Sequence, residues 1–501
     1  MNQGIILAID QGTTSTRVSL MDANAVILDQ SSEAVEQVFP RAGWVEHKPE
    51  EIWKSVGNLI SQIAQRNPDK IRLLAGIGIT NQRETTVVWE KATGRPIHNA
   101  IVWQDTRTSD FCKANASFAP VIREKTGLVL YPYFSATKIK WILDALDPQR
   151  TRAKNGDLLA GTIDTYLIWK ISGGESFSTD LTNASRSLLM NLNTGFWDDE
   201  LLRFFNVPKN LLPAPKASIA LHGKSKGLGF LPDGIPILGV AGDQQAALFG
   251  HGCTKPFQAK CTFGTGAFFL VHTGKVPFPS KSGLLTTLAA NQGKTLEYAL
   301  EGSVFVAGSA VQWLRDNLKI IEKASDTQEL ALAADSLDTP FFIPALAGLG
   351  CPHWDSDFQG TILGITRKTS KADLVLATLE GVAHQVADLL EATSADIPGK
   401  LNSLKVDGGM VANPVFNQIL ADITGLAVEP AASPEITSIG AGKLAAVGAE
   451  ISAGDFPSQK GNASTIPGPG RDKFLRRRDK WKAALIALKG FYHSHGSAGS
   501  S

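Results

Sequence analysis

The chain is poor in cysteine, has almost no excess charge of either sign, and contains no long apolar run. Its four cysteines (Cys112, Cys253, Cys261, Cys351) among 501 residues are too few for a disulfide framework. None stands in a Cys-x-x-Cys pair, which removes the zinc-ribbon reading, and a reducing compartment is expected. Lys and Arg number 49 against 48 Asp and Glu, a net charge of +1, without the basic excess of a nucleic-acid partner. No stretch reaches the ~18 consecutive apolar residues of a membrane span. The opening MNQGIILAID lacks the basic and apolar regions of a secretory signal. The nine His do not cluster, so no transition metal is placed. What remains is the expectation of a soluble, cytoplasmic α/β protein.

What the chain does have is glycine, 47 residues of it, in an otherwise ordinary composition of 43% apolar and 19% charged residues. That points to many turns or close backbone approaches, and the length suits two or three domains. Ile5–Ile9 reads as a strand ending at Asp10, followed by the polar turn Gln11-Gly12-Thr13-Thr14 and a second β-like run, Arg17–Met21. A helix is predicted from Pro49, with Ile52, Val56, Leu59, Ile60 and Ile63 at helical spacing. Ile77–Ile79 reads as a buried strand leading into Asn81-Gln82-Arg83-Glu84. The pattern then restarts. Ile237–Val240 leads into Asp243-Gln244, Thr262–Gly266 forms another Gly/Thr turn between β-like runs, and Leu404–Val406 ends in Asp407-Gly408-Gly409. The repetition predicts two related domains, 1–245 and 246–501. Ala372–Glu391 reads as an internal helix, and residues 471–490 read as a basic, solvated C-terminal helix before a polar tail containing His493 and His495.

Several of these segments carry chemistry. A carboxylate such as Asp10 at a strand tip, beside Thr13 and Thr14, suits Mg²⁺ and phosphate oxygens. Thr262–Gly266 and Gly408-Gly409 let backbone N–H groups approach phosphate, and with the Asp10 turn they suggest one nucleotide cradle. No GxxxxGK[ST] or well-placed GxGxxG is present, so neither a P-loop nor a Rossmann site is supported. Arg83-Glu84, read as an adjacent ionic pair, offers donors and acceptors to a polyol, or is an ordinary surface pair. Asp243 is placed to take a proton from a hydroxyl, or to cap its turn. Trp103 and Tyr133 suit an apolar wall or a core. Cys351 reads as buried and inert.

These segments also carry a resemblance. AIDQGTTSTR (Ala8–Arg17), PRAGWVEHKPEEIW (Pro40–Trp53), GITNQRETTVVWEKATGRPIHNAIVWQDTRT (Gly78–Thr108), YFSATKIKWILD (Tyr133–Asp144), GVAGDQQAALFG, TFGTG and VDGGMVAN occur in the order found in the FGGY carbohydrate kinase family. The NQRET core resembles the branch that acts on glycerol. The resemblance, from about residue 4 to 490, implies two ribonuclease-H-like (actin-like ATPase) domains closing over a cleft, and transfer of the ATP γ-phosphoryl group to glycerol. It implies that Arg83, Glu84, Trp103, Tyr133, Asp243, Gln244 and Phe268 contact glycerol, with Asp243 as the base. It implies that Thr13, Thr14, Ser15, Arg17, Thr265, Gly308, Gln312, Gly409 and Asn413 hold the nucleotide, and that Asp10 and Asp243 lie near Mg²⁺. A homodimer or homotetramer is the expected assembly. Two departures stand out in His222–Ile237. It lacks the Gly-Gly-Thr-Arg stretch with which enteric-type members bind fructose 1,6-bisphosphate, and His222 is flanked differently from the phosphorylatable His of many Gram-positive members.

Overall fold

A computed structural model describes residues 4–293, 295–334, 339–456 and 463–495; the rest of the polar tail lies outside them, as do the side chains of His493 and His495. Two six-stranded sheets organise the molecule. The first is built from β1 (Ile5–Gln11), β2 (Ser15–Met21), β3 (Ile27–Ala34), β4 (Leu74–Asn81), β5 (Ile219–Lys224) and β6 (Pro236–Gly242), in the spatial order β5-β6-β4-β1-β2-β3. The second uses β7 (Ala259–Phe263), β8 (Ala267–Gly274), β9 (Leu285–Leu288), β10 (Tyr298–Val304), β11 (Ser403–Gly408) and β12 (Ala427–Pro430), in the order β9-β10-β8-β7-β11-β12.

The sheets share a plan. In the first, β1, β2 and β3 form an antiparallel meander, β4 adds to β1 in parallel, and β6 adds to β4 in parallel. In the second, β7, β8 and β10 form the meander, and β11 and β12 add in parallel. Each sheet carries one extra edge strand, β5 or β9. The common plan places the β1–β2 and β7–β8 turns at matching positions, as the repetition predicts. β1, with five of its seven residues apolar, is buried along nearly its whole length, as suits a strand between covered faces.

Helix α1 (Pro49–Arg66) starts with Pro at its first turn, carries Glu50 and Glu51 there and ends on Arg66, an arrangement that favours the helix dipole. Its stripe Ile52, Val56, Leu59, Ile60 and Ile63 packs into one cluster with Val18, Leu20 and Ile77 of the first sheet. In the second half, α5 (Lys371–Asp396) opens on a Ser370–Asp373 capping box and is buried through most of its length. It packs with Cys261, Phe263 and Phe269 of the second sheet. Between the sheets runs α3 (Asp243–Gly250). Helix α7 (Ile436–Gly448), late in the chain, returns to the first sheet. Its Ile439, Ala441 and Ala445 share a cluster with Ile6, Ala8 and Met21. The approach is close enough that a Cβ on Gly239 would lie 2.4 Å from the Ala445 backbone nitrogen.

The C-terminal helix differs from expectation. α8 (Arg471–His495) is docked, not solvated: Phe474, Arg477, Arg478, Trp481 and Leu485 are buried. The reason is complementary charge on α5. Arg477 Nε donates to Glu380 Oε2 at 2.8 Å, and Arg478 reaches Asp388 Oδ1 at 2.7 Å and Glu391 Oε1 at 2.9 Å. The basic run that reads as a wet face from sequence is thus partly a set of buried ion partners. His353 is held between Asp388 (3.0 Å) and Lys489 (3.2 Å). Cys351 is buried against the Gly283 carbonyl, and burial pushes its thiol up, as expected for an inert cysteine.

Candidate active site

The ends of β1, β4, β6, β7 and β8 converge on a cleft between the sheets. One cavity there, of about 430 Å³, is lined by Thr13, Thr14, Arg83, Glu84, Trp103, Tyr133, Asp243, Gln244, Thr265, Phe268 and Gln312 among others. All seven polyol candidates meet in it. The first sheet with its attached loops supplies every one except Phe268, which comes from β8. Trp103, Tyr133 and Phe268 form an aromatic wall, with Trp103 edge-on to both others at centroid distances of 5.5 and 5.9 Å. Trp103 Nε1 donates to Thr13 Oγ1 at 2.9 Å, which ties the wall to the β1–β2 turn. Buried Lys138 donates to the Pro132 and Tyr133 carbonyls and so fixes the loop that carries Tyr133. Burial pushes its ammonium down to about 7.

Arg83 and Glu84 are not the surface pair that adjacency in sequence allows. Both are buried, their closest charged atoms are 4.0 Å apart, and each pairs with a distant residue. Arg83 binds Glu301 of β10 through Nη1 (2.5 Å) and Nη2 (2.9 Å). Glu84 accepts from Arg186 Nε at 2.6 Å, and Arg186 Nη2 lies 3.0 Å from Glu301. The result is a buried quartet of two guanidiniums and two carboxylates spanning both sheets. Burial raises the Glu84 carboxyl, while Arg83 and Arg186 pull it back. For Glu301, burial is outweighed by Arg186 and then Arg83, and the carboxyl is held below its usual range. Glu84 also adopts φ +59°, a left-handed conformation that costs free energy for a residue with a Cβ.

Asp243 opens α3 at the tip of β6. Its Oδ1 accepts the Gln244 backbone N–H at 2.7 Å and lies 3.2 Å from Arg83 Nε. Burial raises this carboxyl, and Arg83 and Lys260 lower it. Asp10 is raised to about 7, first by burial and then by the carboxylates of Asp243 and Glu435, against the pull of Arg17. Asp10 therefore stands in the same field as Asp243.

A second cavity, of about 400 Å³, is lined by Thr265, Gly308, Gln312, Gly409 and Asn413, five of the nucleotide candidates, together with Val311, Ser325, Leu379 and Met410. Thr265 and Gln312 line both cavities, so the two spaces abut. Gly408 has φ +95° and a Cβ on it would strike the Phe263 carbonyl at 2.3 Å, whereas nothing lies within 4 Å of a Cβ on Gly409. The first glycine is required by the turn, and the second faces open space. Asn413 caps helix α6 (Pro414–Thr424) through its Oδ1 and donates to Thr327 Oγ1 at 3.1 Å. Ser15 and Arg17 line neither cavity. The Ser15 carbonyl closes the turn onto Gly12 N–H at 2.9 Å, and Arg17 is ion-paired with Glu435.

Sequence reasoning missed Glu301, Arg186, Lys138, Lys260 and Glu435. The available signal was a lone charge inside an otherwise apolar strand, as in YALEGSV and AKCTF. Such a charge is rarely buried without a partner. His222, flagged by its neighbourhood, is fully buried, and both ring nitrogens are engaged, by Ser178 Oγ (3.3 Å) and the Ala217 carbonyl (3.0 Å).

Comparison with known proteins agrees with this geometry. Residues 5–250 match the N-terminal domain, and residues 259–449 the C-terminal domain, of the FGGY family of carbohydrate kinases. The chain is 49% identical to a glycerol kinase of Staphylococcus haemolyticus over 442 residues, 88% of this chain and 89% of that one. It is 46% identical to a glycerol kinase of Brevibacillus brevis over 500 residues, 99% and 100% of the two chains. A crystal structure of Plasmodium falciparum glycerol kinase with ADP superposes with a TM-score of 0.90 at 35% identity, covering 97% of this chain and 98% of that one. The chain belongs to the FGGY family of carbohydrate kinases.

Proposed function

From that membership we propose that the chain transfers the γ-phosphoryl group of ATP to glycerol, giving sn-glycerol 3-phosphate. The observation that carries the reading is the abutment of the two cavities: an aromatic-walled space with Arg83, Glu84 and Asp243, meeting at Thr265 and Gln312 a second space lined by Gly264, Gly308 and Gly409. The relatives named as glycerol kinases support the choice of acceptor.

In this reading Arg83 and Glu84 bind glycerol hydroxyls, and Trp103, Tyr133 and Phe268 cover its carbon chain. Asp243 accepts the proton of the attacking hydroxyl, and Gln244 holds the acceptor beside it. Thr13, Thr14 and the Thr265 turn meet phosphates, with Ser15 and Arg17 behind them. Gly308, Gln312, Gly409 and Asn413 hold the nucleoside side. Closure of the two halves, 1–245 and 246–501, excludes the water that would otherwise compete as acceptor.

The residues also fit a divalent cation. Among the described residues no hydrogen bond reaches the half-buried Asp10 carboxylate, which lies in the field of the Asp243 and Glu435 carboxylates and of Arg17, itself paired with Glu435. That is an unfavourable place for an anion unless a cation joins it. No group of three or more metal-ligating side chains converges among the described residues, so Asp10 and Asp243 would hold Mg²⁺ together with phosphate oxygens and water, the usual pattern for this ion. When bound, Mg²⁺ neutralises charge developing on the transferred group.

The test is ADP release across glycerol, erythritol, xylulose and ribulose. Glycerol should give the highest kcat/KM; preference for a pentulose, or no saturable turnover with glycerol, would sink the assignment. Asp243→Asn should leave thermal melting within a few degrees and lower kcat by ~10²–10⁴-fold, the usual contribution of a general base; unchanged turnover would remove Asp243 from the chemistry. No helix among the described residues is long and apolar enough to cross a membrane. We place the enzyme in the cytoplasm as a homodimer or homotetramer, which fractionation and light scattering would check.

A further inference from the structure

Lys260 is a buried cation that the mechanism above leaves unused. It lies in β7, where Ala259, Cys261 and Phe263 turn into the second core and Lys260 and Thr262 face the other way. The side chain is fully buried. Its ammonium has three N–H bonds and three acceptors: Gln244 Oε1, Thr262 Oγ1 at 2.9 Å and the Phe268 carbonyl at 3.3 Å. An ammonium held this deep costs several kcal/mol in lost hydration. Its position therefore needs an explanation beyond filling space.

The acceptors supply one. Two of the three belong to polyol-site residues, Gln244 at the start of α3 and Phe268 in β8. We propose that Lys260 is a positioning residue that sets the orientation of the Gln244 amide for phosphoryl transfer. An ammonium donates only, so it holds the amide by its oxygen. The amide nitrogen is thereby left as the group able to donate toward the Asp243 carboxylate, whose Oδ1 already accepts the Gln244 backbone N–H at 2.7 Å. Without Lys260 the amide is free to rotate by 180° and point its oxygen at that carboxylate. The grip also crosses the molecule, because Gln244 lies in the N-terminal family domain and Lys260 in the C-terminal one. The far end of α3 is fastened in the same way. His251 Nε2 lies 2.8 Å from Asp407 Oδ2, and Lys405 donates to the His251 carbonyl at 2.6 Å. Thr262 links the two fastenings by donating to the same Asp407 oxygen at 2.9 Å.

The proposal rests on the glycerol reading and is tested by a double-mutant cycle in the full chain. Lys260→Met should lower kcat/KM for glycerol by roughly 10- to 100-fold, the range for losing a hydrogen bond to a charged group, with ADP affinity by calorimetry within twofold. In a Gln244→Ala background the same substitution should cost less than about threefold, because the group it acts through is gone. An equal loss in both backgrounds, or no loss in the first, overturns the proposal. If the methionine variant does not bind ADP, Lys260→Leu, which likewise leaves Gln244 Oε1 without its donor, replaces it in the cycle. If neither variant binds ADP normally, Lys260 is a structural residue and the proposal falls. Failure of the parent reading looks different: the unchanged chain itself would not turn over glycerol, whereas additive losses in an active enzyme end only the role of Lys260.

Discussion

Replacing Glu301 by Gln tests the buried quartet behind the pocket proposed for glycerol. Glu301, at 0% exposure, faces two guanidiniums, with contacts of 2.5 and 2.9 Å to Arg83 and 3.0 Å to Arg186. At an effective dielectric of 20 and ~3 Å, each attraction is worth about 5 kcal/mol. Against this stands a desolvation cost of several kcal/mol for each buried ion. The quartet is neutral as it stands; Glu301→Gln leaves it with one uncompensated positive charge, and the new amide N–H faces an arginine. Breaking a buried pair by removing one partner costs about 3–5 kcal/mol. Because Gln keeps one acceptor and the same volume, a loss of ~3 kcal/mol in folding stability is expected. Arg83 would then lean on the nearer of its remaining carboxylates, Asp243 at 3.2 Å rather than Glu84 at 4.0 Å, and leave its place in the pocket. Urea unfolding followed by tryptophan fluorescence reads the first effect. Steady-state kinetics with glycerol and ATP varied separately read the second, and glycerol KM should rise at least tenfold while ATP KM stays within twofold. A stability change below ~1 kcal/mol, the size of an ordinary neutral hydrogen bond, together with an unchanged glycerol KM, would refute the electrostatic account.

Two further outcomes follow from other features. Gly409→Ala adds a methyl group that meets no protein atom within 4 Å but enters the cavity proposed for the nucleotide. Melting should be unaffected, and ATP KM should rise roughly tenfold, near the low end of overpacking costs; an unchanged KM would show that nucleotide does not use that space. His222 is held neutral, its ring pushed down to about 4 by burial. A depressed histidine leaves stability intact above the unfolded value near 6.5 and removes it as pH falls toward 4, because only the unfolded chain takes up the proton. At pH 5 this amounts to about 2 kcal/mol. His222→Gln should lose that much less stability between pH 7.5 and 5.0 than the unchanged chain, and equal losses would exclude His222 as the source.

Much of the site was readable because its parts are local. Asp10, the Gly12–Thr14 turn, Asp243 and Gly408-Gly409 each follow a short apolar strand, and the structure puts each at a strand end. The two-sheet plan was visible as a repeated strand–turn–strand grammar. What could not be read was pairing at long range. Glu301 meets Arg83 across 218 residues of chain, and Arg186 meets Glu84 across 102. Nothing in the local sequence of either partner names the other. The same blindness made the basic run Arg476–Arg478 look solvated, since the acids that receive Arg477 and Arg478 lie on a helix about 90 residues earlier. Arg83-Glu84 shows the converse error, because neighbours in sequence need not be each other's partners when both sit at a domain junction.

Helix α7 has a consequence for how the protein can be divided. Although it follows every strand of the second sheet, it covers β1, β4 and β6 of the first. A fragment ending near residue 250 would bare Ile6, Ala8 and Met21 to water, so it should be insoluble when produced alone. Two pieces cut in the 251–258 loop and made together should instead assemble and recover phosphoryl transfer, because the later piece brings the missing cover. A soluble, monomeric 4–250 fragment would contradict this. The two halves are thus interlaced rather than serial, and any rearrangement of the gene that kept one without the other would have had to replace that helix.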